Sequence, residues 1–175
     1  MQPIVHLAVG YLCYAGYTRW RRGRRPADGP ALVAVFAAGL ADFIDKPLYA
    51  AGIASVGRTI AHSLLVTIPL VLLVWCVATR YDRRSLGIAF AIGSLSHIAT
   101  DVPWHVLSGE FDELRFLLWP ITDMPAYTGV KPLGNVGGLE ITTLWLEAVV
   151  LAAGLALWWT DGRPGIAAIR RIFKT

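Results

Sequence analysis

Long apolar runs separated by short charged connections constrain the fold of this chain more than any other feature. Hydrophobic residues make up 55% of the 175 residues and charged residues only 16%, against about 45–50% and about 25% in ordinary globular domains. The apolar residues lie in five segments, at residues 4–20, 30–45, 59–79, 85–101 and 138–160. A hydrocarbon core of about 30 Å takes roughly 20 helical residues. The pattern therefore predicts an all-α, polytopic transmembrane bundle of five helices, forming one integral membrane domain over residues 1–175.

The placement of the basic residues predicts an orientation for this bundle. Twelve of the 16 Lys and Arg residues follow the first, third and fifth apolar segments. The positive-inside rule then puts the N-terminus outside and the C-terminus in the cytoplasm of a multi-pass cell-membrane protein whose partner is the lipid bilayer. The Arg-rich stretch at residues 19–25 is also compatible with a nucleic-acid patch. Because the topology signal explains that stretch, we expect no nucleic-acid partner.

The longest connection, residues 102–137, lies on the predicted outer side. It contains the apolar run Phe116-Leu117-Leu118-Trp119-Pro120, which is too short to span a bilayer. This run predicts a re-entrant or interfacial segment that packs over the helix ends. Residues 125–138 are rich in Gly and Pro and predict a loop.

Most ionisable residues of the apolar segments fall near this predicted outer face. The fourth helix carries His97 and Asp101 at i and i+4, which places both on one side of it. The second helix carries Asp42 and Asp45 at i and i+3. The other members are His6 near the start of the first helix, His62 in the first turn of the third, His105 in the outer connection and Glu140 at the start of the fifth. The topology argument used none of these residues, so their convergence is an independent indication of a site.

Imidazoles and carboxylates from separate helices are the ligands that a divalent ion such as Zn, Mn or Fe requires. We predict that His62, His97 and Asp101 bind the ion, with Asp42 and His6 completing or sharing a site for one or two ions.

Two further residues have predicted catalytic roles. Asp45, or an unused carboxylate, would accept a proton from water, and Arg58 would stabilise an anionic oxygen of the substrate.

Structural interpretations of the same residues remain open. His62, His97 and Asp101 could form a hydrogen-bond network without a metal ion, and Asp42 could pair with Arg58 or Lys46. His105 and Glu140 are compatible with simple interfacial positions. Glu147 would lie about 10 Å deeper than Glu140 on the same helix stripe, without an assigned role.

Four motifs in chain order resemble those of the membrane-bound metal-dependent hydrolase family that includes the LexA-regulated inner-membrane hydrolase. They are His6-Leu7-Ala8-Val9-Gly10, Gly39-Leu40-Ala41-Asp42 with Asp45 close behind, Arg58 followed by His62-Ser63-Leu64, and Gly93 followed by His97-x-x-x-Asp101. Leu118-Trp119-Pro120 matches a segment that often follows in the family, whereas Ala41 stands where the family commonly has Pro. The resemblance implies an integral membrane protein with a divalent-metal hydrolytic site.

The function predicted from site and resemblance together is metal-dependent hydrolysis of a lipid-linked or phosphoester substrate. Two alternatives remain open. Ser94-x-x-His97-x-x-x-Asp101 is similar to the last motif of the membrane lipid-phosphate phosphatases, in which His is the nucleophile and no metal is needed. A non-enzymatic role in ion binding, ion transport or scaffolding is the other alternative, and Glu147 would then extend a polar pathway.

Overall fold

The computed structural model describes residues 2–102, 106, 109, 111–123 and 141–172, without the side chains of residues 113, 141–143, 171 and 172. His105, Glu140 and the predicted loop from 125 onward lie outside this part of the chain. The described α-helices are α1 Pro3–Arg22, α2 Asp28–Ala50, α3 Leu64–Arg80, α4 Arg84–Asp101, α5 Ile141–Thr160 and α6 Ile166–Ile172. A 3₁₀ helix at Asp112–Leu118, here called the capping segment, precedes α5.

The predicted all-α class agrees with this architecture, but the polytopic transmembrane prediction is wrong. Among the described helices, none combines the length with the apolar content that crossing a bilayer requires. Helix α3 has 17 residues, or about 26 Å at 1.5 Å per residue, which is less than the hydrocarbon thickness of about 30 Å. Helix α2 carries Asp42, Asp45 and Lys46 in its C-terminal half, and α4 begins at Arg84 and ends at Asp101. Charged residues thus shorten the apolar stretches of these two helices.

The third helix begins five residues later than predicted, so His62 does not lie in its first turn. Helix α3 starts at Leu64, and the hydroxyl of the N-cap residue Ser63 accepts a hydrogen bond from the Leu65 N–H at 3.2 Å. The preceding residues 51–63 form turns instead of a helix. Their backbone N–H groups are partly bound by a carboxylate of α2, described below, and this contact holds the chain out of the helical conformation.

Helices α1, α2 and α4 pack closely because small residues line their contacts. A Cβ atom added to Gly93 of α4 would lie 2.2 Å from the Ala34 carbonyl oxygen of α2, and one added to Gly10 of α1 would lie 2.4 Å from the Ala38 Cβ. Such distances leave no room for a side chain at either glycine. The close approach brings the polar residues of these helices within reach of one another.

We expect Gly93→Ala to lower the free energy of unfolding by about 1–3 kcal/mol, because the added methyl group must push α4 away from α2. Gly16→Ala is the matched control, since a Cβ atom there meets no other atom within 4 Å and Ala favours a helix over Gly. Thermal unfolding of both variants in one detergent measures the difference. Equal shifts in the two variants would contradict the packing argument.

Helix α5 runs parallel to α1 and contacts it along much of its length. A Cβ atom on Gly154 would lie 2.8 Å from the Ala8 Cβ. Beyond the C-terminal end of α5, the buried Asp161 carboxylate accepts a 2.6 Å hydrogen bond from the Tyr11 hydroxyl and forms an ion pair with Arg19. These contacts hold α1 against α5 from Ala8 to Arg19.

Candidate metal centre

Five ionisable side chains from four parts of the chain meet at one end of the bundle. Helix α1 supplies one imidazole near its N-terminus, α4 supplies an imidazole and a carboxylate near its C-terminus, α2 supplies a carboxylate, and the turn before α3 supplies the third imidazole. These residues are His6, Asp42, His62, His97 and Asp101, and each is at most 4% exposed. The structure thus brings together all five predicted metal ligands, and we refer to them as the cluster.

Distances within the cluster match those between ligands of a single ion. The Nε2 atoms of His62 and His97 are 3.1 Å apart. One oxygen of Asp101 lies 3.2 Å from His62 Nε2 and 3.6 Å from His97 Nε2, and the other lies 3.2 Å from His6 Nε2. Two ligand atoms of a tetrahedral zinc site, each about 2.0–2.1 Å from the ion, are separated by about 3.3 Å. The cluster therefore has the size of a metal coordination sphere.

Asp42 completes the arrangement from the side of α2. Its Oδ1 lies 3.6 Å from His62 Nε2. Two overlapping triads have all their ligand atoms within 4.8 Å of one another, and they share His97: one also contains His6 and Asp42, and the other His62 and Asp101. One five-coordinate ion, or two ions bridged by shared ligands, fits this donor set of nitrogen and oxygen atoms.

Each imidazole of the cluster is oriented by an acceptor on its outer nitrogen. His97 Nδ1 donates to the Ala38 carbonyl oxygen at 2.7 Å, and His62 Nδ1 donates to Asp45 Oδ2 at 2.7 Å. The Thr100 hydroxyl donates to a backbone carbonyl of its own helix, so it accepts from His6 Nδ1 at 2.9 Å. The three Nε2 lone pairs are therefore directed into the cluster, as in metal sites where an outer partner fixes the tautomer.

Asp45 organises the turn that carries His62. Its carboxylate, which is fully buried, accepts backbone N–H hydrogen bonds from Thr59 at 2.8 Å, from Ala61 at 3.1 Å and from His62 at 3.2 Å. It also accepts the His62 Nδ1–H. These contacts favour a role for Asp45 in positioning His62. The proton-accepting role predicted for Asp45 from the sequence stays a prediction.

Two cations stand at the accessible side of the cluster. Lys46 Nζ lies 2.9 Å from Asp42 Oδ2, and the Lys46 side chain is about half exposed. This ion pair is one of the two pairings of Asp42 that the sequence left open. Arg58 Nε lies 3.3 Å from Asp101 Oδ2, and the Arg58 side chain is partly exposed. An anionic group approaching the cluster from this side would meet both cations.

The capping segment covers the cluster on the side of His62 and Arg58. The ring of Phe116, which is fully buried, lies edge-on to His62 and beneath the Arg58 guanidinium. The Ser63 hydroxyl donates to the Trp119 carbonyl oxygen at 2.6 Å and so ties the residues after this segment to the start of α3. The segment therefore packs over helix ends, as predicted. Its predicted re-entrant or interfacial position in a membrane stays a prediction.

The electrostatics of the cluster favour bound cations. Burial raises the pKa of Asp42, but hydrogen bonds with His62 and Lys46 outweigh it and lower the pKa to about 2. Burial also raises the pKa of Asp101, but His6, His62 and Arg58 hold that pKa well below its usual range. Both carboxylates are therefore ionised at neutral pH and available as ligands.

The two neighbouring imidazoles have opposite pKa shifts. Burial lowers the pKa of His62, but hydrogen bonds with Asp101, Asp42 and Asp45 outweigh it and raise the pKa to about 10. Burial and the charge of His6 lower the pKa of His97 to about 4. The carboxylates thus attract positive charge to His62, where a proton and a metal ion compete for the same nitrogen.

Glu147 lies beside the N-terminal end of α1. It is buried, and its Oε2 accepts a hydrogen bond from the Gln2 backbone N–H at 3.2 Å. Gln2 precedes α1, so Glu147 is level with the end of the bundle that holds His6. Its predicted depth relative to Glu140 stays a prediction, because Glu140 lies outside the described residues. Sequence reasoning missed Thr100, whose signal is a hydroxyl three residues after His97 on the same helix face.

The fold and the cluster define a class: an all-helical protein with a buried imidazole–carboxylate centre formed by several helices. Within that class, the chain belongs to the YdjM inner membrane protein family, whose sequence model matches residues 1–166. No curated protein and no solved structure matches the chain. The family confirms the predicted membrane location, whereas the orientation of the termini and the hydrolytic activity stay predictions.

Proposed function

We propose that the protein is a metal-dependent hydrolase of the inner membrane that acts on a phosphoester, with the cluster as its metal centre. One observation carries the proposal. Three imidazoles direct their Nε2 atoms at two ionised carboxylates over 3.2–3.6 Å, while their Nδ1 atoms are bound outside the cluster. Without a metal ion, a proton on His62 would be needed to balance these acceptors, and a divalent cation can bind several of them at once. A divalent cation fits this geometry and charge.

Residues of the cluster and residues in contact with it would have separate roles in the hydrolysis. A divalent ion bound here supplies Lewis acidity and makes water nucleophilic near neutral pH. Asp42 directs Oδ1 at His62 Nε2 and pairs Oδ2 with Lys46, so it would hold the ion from the side of α2. Arg58 orients Asp101 and presents its guanidinium to an anionic oxygen of the substrate. Asp45 and Thr100 hold the imidazoles in the required tautomers.

The metal-free phosphatase alternative requires a nucleophilic imidazole nitrogen that faces the substrate. In the described structure His97 has no such nitrogen: Nδ1 donates to the Ala38 carbonyl oxygen, and Nε2 faces His62. His97 is also fully buried. The metal-dependent function is therefore the better supported of the two.

Metal content and chelator sensitivity test the proposal. We expect protein purified in detergent without chelator to retain about one or two equivalents of Zn, Mn or Fe by mass spectrometry. Hydrolysis of a panel of phosphoesters should cease after chelation and return when the ion is restored. Glu147→Gln is the matched control, because it neutralises a buried acid at the same end of the bundle and should change neither result. Full activity in chelator, or no retained or restorable metal, would refute the proposal.

A further inference from the structure

Contacts join the chain connections at the end of the bundle opposite the cluster. Asp161, which directly follows α5, forms an ion pair with Arg19 in the last turn of α1. The Gly165 N–H, between α5 and α6, donates to Asp28 Oδ1 at the start of α2 over 2.8 Å. The residues that follow α1 and those that follow α5 therefore lie together.

The turn between α3 and α4 belongs to the same end of the bundle. A Cβ atom on Gly29, in the first turn of α2, would lie 3.8 Å from Leu86 Cδ2 in the first turn of α4. A Cβ atom on Gly87 would lie 3.2 Å from the Ala78 Cβ in the last turn of α3. This end is here called the basic end, and it consists of residues 19–28, 80–84 and 159–170.

Positive charge at the basic end is largely uncompensated. Among the described residues there, the exposed acids are limited to Asp82. Asp161 and Asp28 are partly buried and already accept the contacts given above. Of the exposed arginines, only Arg25 forms an ion pair with a described residue, at 3.7 Å from Asp161 Oδ1. The nine exposed arginines are Arg21, Arg22, Arg24, Arg25, Arg80, Arg83, Arg84, Arg163 and Arg170.

Three aromatic side chains are strongly exposed beside these cations. Trp20 is 80% exposed, Tyr81 72% and Trp159 65%. The Arg21 guanidinium lies 5.4 Å from the centre of the Trp20 ring, and that of Arg163 lies 4.8 Å from the centre of the Trp159 ring. Exposed Trp and Tyr side chains next to basic residues are typical of protein surfaces at the headgroup level of a bilayer.

We propose that the basic end binds the anionic phosphate headgroups of a phospholipid surface. The exposed cations described there are all arginines, and a guanidinium can donate two parallel hydrogen bonds to two oxygens of one phosphate. The aromatic side chains suit the boundary between headgroups and hydrocarbon. The membrane location of the family provides such a surface and favours a lipid over a nucleic-acid partner.

This surface is separate from the cluster. Arg22 follows His6 by sixteen residues of α1, or about 24 Å at 1.5 Å per residue. Charges at that distance are screened at physiological salt, where the Debye length is about 8 Å. Neutral variants of the basic end should therefore retain the metal content of the wild type, and loss of the hydrolase proposal would leave the lipid-binding inference intact.

Equilibrium binding of two lipids with the same acyl chains tests the inference. Phosphatidylglycerol, which is anionic, and phosphatidylcholine, which has no net charge, are titrated into the fluorescently labelled full chain in a non-ionic detergent at about 0.15 M salt. We expect phosphatidylglycerol to bind at least about tenfold more tightly, because basic side chains attract anionic lipids. The preference should disappear at about 1 M salt, where the Debye length falls to about 3 Å. Equal affinities for the two lipids at the lower salt would overturn the inference.

Two single variants locate the binding on the molecule. Arg22→Gln should weaken the binding of phosphatidylglycerol about fivefold, from an attraction of roughly 1 kcal/mol per basic side chain near an anionic surface. Arg115→Gln is the matched control, because Arg115 is also exposed but lies on the capping segment at the other end of the bundle. It should leave the affinity unchanged. Equal effects of the two variants would overturn the assignment to the basic end.

A short DNA duplex distinguishes a lipid partner from a nucleic acid. We expect the wild type to bind phosphatidylglycerol more tightly than the duplex at the lower salt. Trp20→Ala should weaken lipid binding and leave duplex binding unchanged, because only the lipid offers a boundary between headgroup and hydrocarbon. Tighter binding of the duplex than of phosphatidylglycerol would overturn the inference in favour of a nucleic-acid surface.

Discussion

Replacing His62 or His97 with Ala should weaken the binding of Zn²⁺ or Mn²⁺ by more than about 100-fold. Each substitution removes an Nε2 atom from the centre of the cluster, where the two atoms lie 3.1 Å apart. Loss of an outer hydrogen-bond partner alone typically costs 10–100-fold in metal affinity, and loss of a ligand should cost more. Competition with a chromophoric chelator, after the native ion has been stripped, measures the affinity.

Two controls make this result interpretable. Glu147→Gln should bind the ion like the wild type, because Glu147 bonds the Gln2 backbone and not the cluster. Circular dichroism and size-exclusion chromatography in detergent establish that each variant is folded. The visible spectrum of the Co²⁺-loaded wild type provides a readout independent of the variants, since it reports the number and type of ligands. A folded His97→Ala variant with wild-type affinity would show that the cluster is not a metal centre.

Replacing Asp45 with Asn should weaken metal binding by about 10–100-fold and also lower the free energy of unfolding by about 3 kcal/mol. The hydrogen bonds from the Thr59 and His62 N–H groups converge on Oδ2 and would lose their charged acceptor, and the amide nitrogen cannot accept the Ala61 N–H that Oδ1 now binds. The turn should then lose its fixed conformation, and the His62 imidazole should lose its fixed tautomer. Metal titration and thermal unfolding of the same preparation measure both effects.

Asp42→Asn is the informative comparison for Asp45→Asn. Asp42 binds no backbone N–H of the turn among its described contacts, and its Oδ1 faces His62 Nε2 directly. We therefore expect a larger loss of metal affinity for Asp42→Asn with a smaller loss of stability. If Asp45→Asn is destabilised but binds metal like the wild type, Asp45 has only a structural role. If neither property changes, the proposed positioning of His62 is wrong.

Much of the helical framework could be predicted from the sequence because it depends on local apolar runs. Helices α1 and α4 lie within two residues of the predicted segments. The start of α3 could not be predicted from the apolar run, because a carboxylate on α2 binds the N–H groups of residues 59–62. The transmembrane prediction failed because α3 begins later and is shorter than its apolar segment and charged residues interrupt α2 and α4, so no described helix combines the length and the apolar content of a span.

The candidate site was predicted in composition but not in the roles of its members. His97 and Asp101 were expected to share a helix face from their spacing alone, and the cluster contains both. The separation of Asp45 from the ligands was not predictable, because Asp42 and Asp45 have the same chemistry and lie three residues apart. Only the turn that packs against α2 distinguishes the residue that faces His62 Nε2 from the one that holds His62 Nδ1.

By itself, the sequence determined which residue types are available, their helical spacing and the end of the bundle at which they gather, because these follow from local chemistry and periodicity. The tertiary structure alone decided which nitrogen of each imidazole points inward, and which carboxylate faces His62 Nε2 and which binds the turn that carries His62. Those properties depend on distances of a few ångströms between residues far apart in the chain. Close contacts between helices set those distances, as at Gly10 and Gly93.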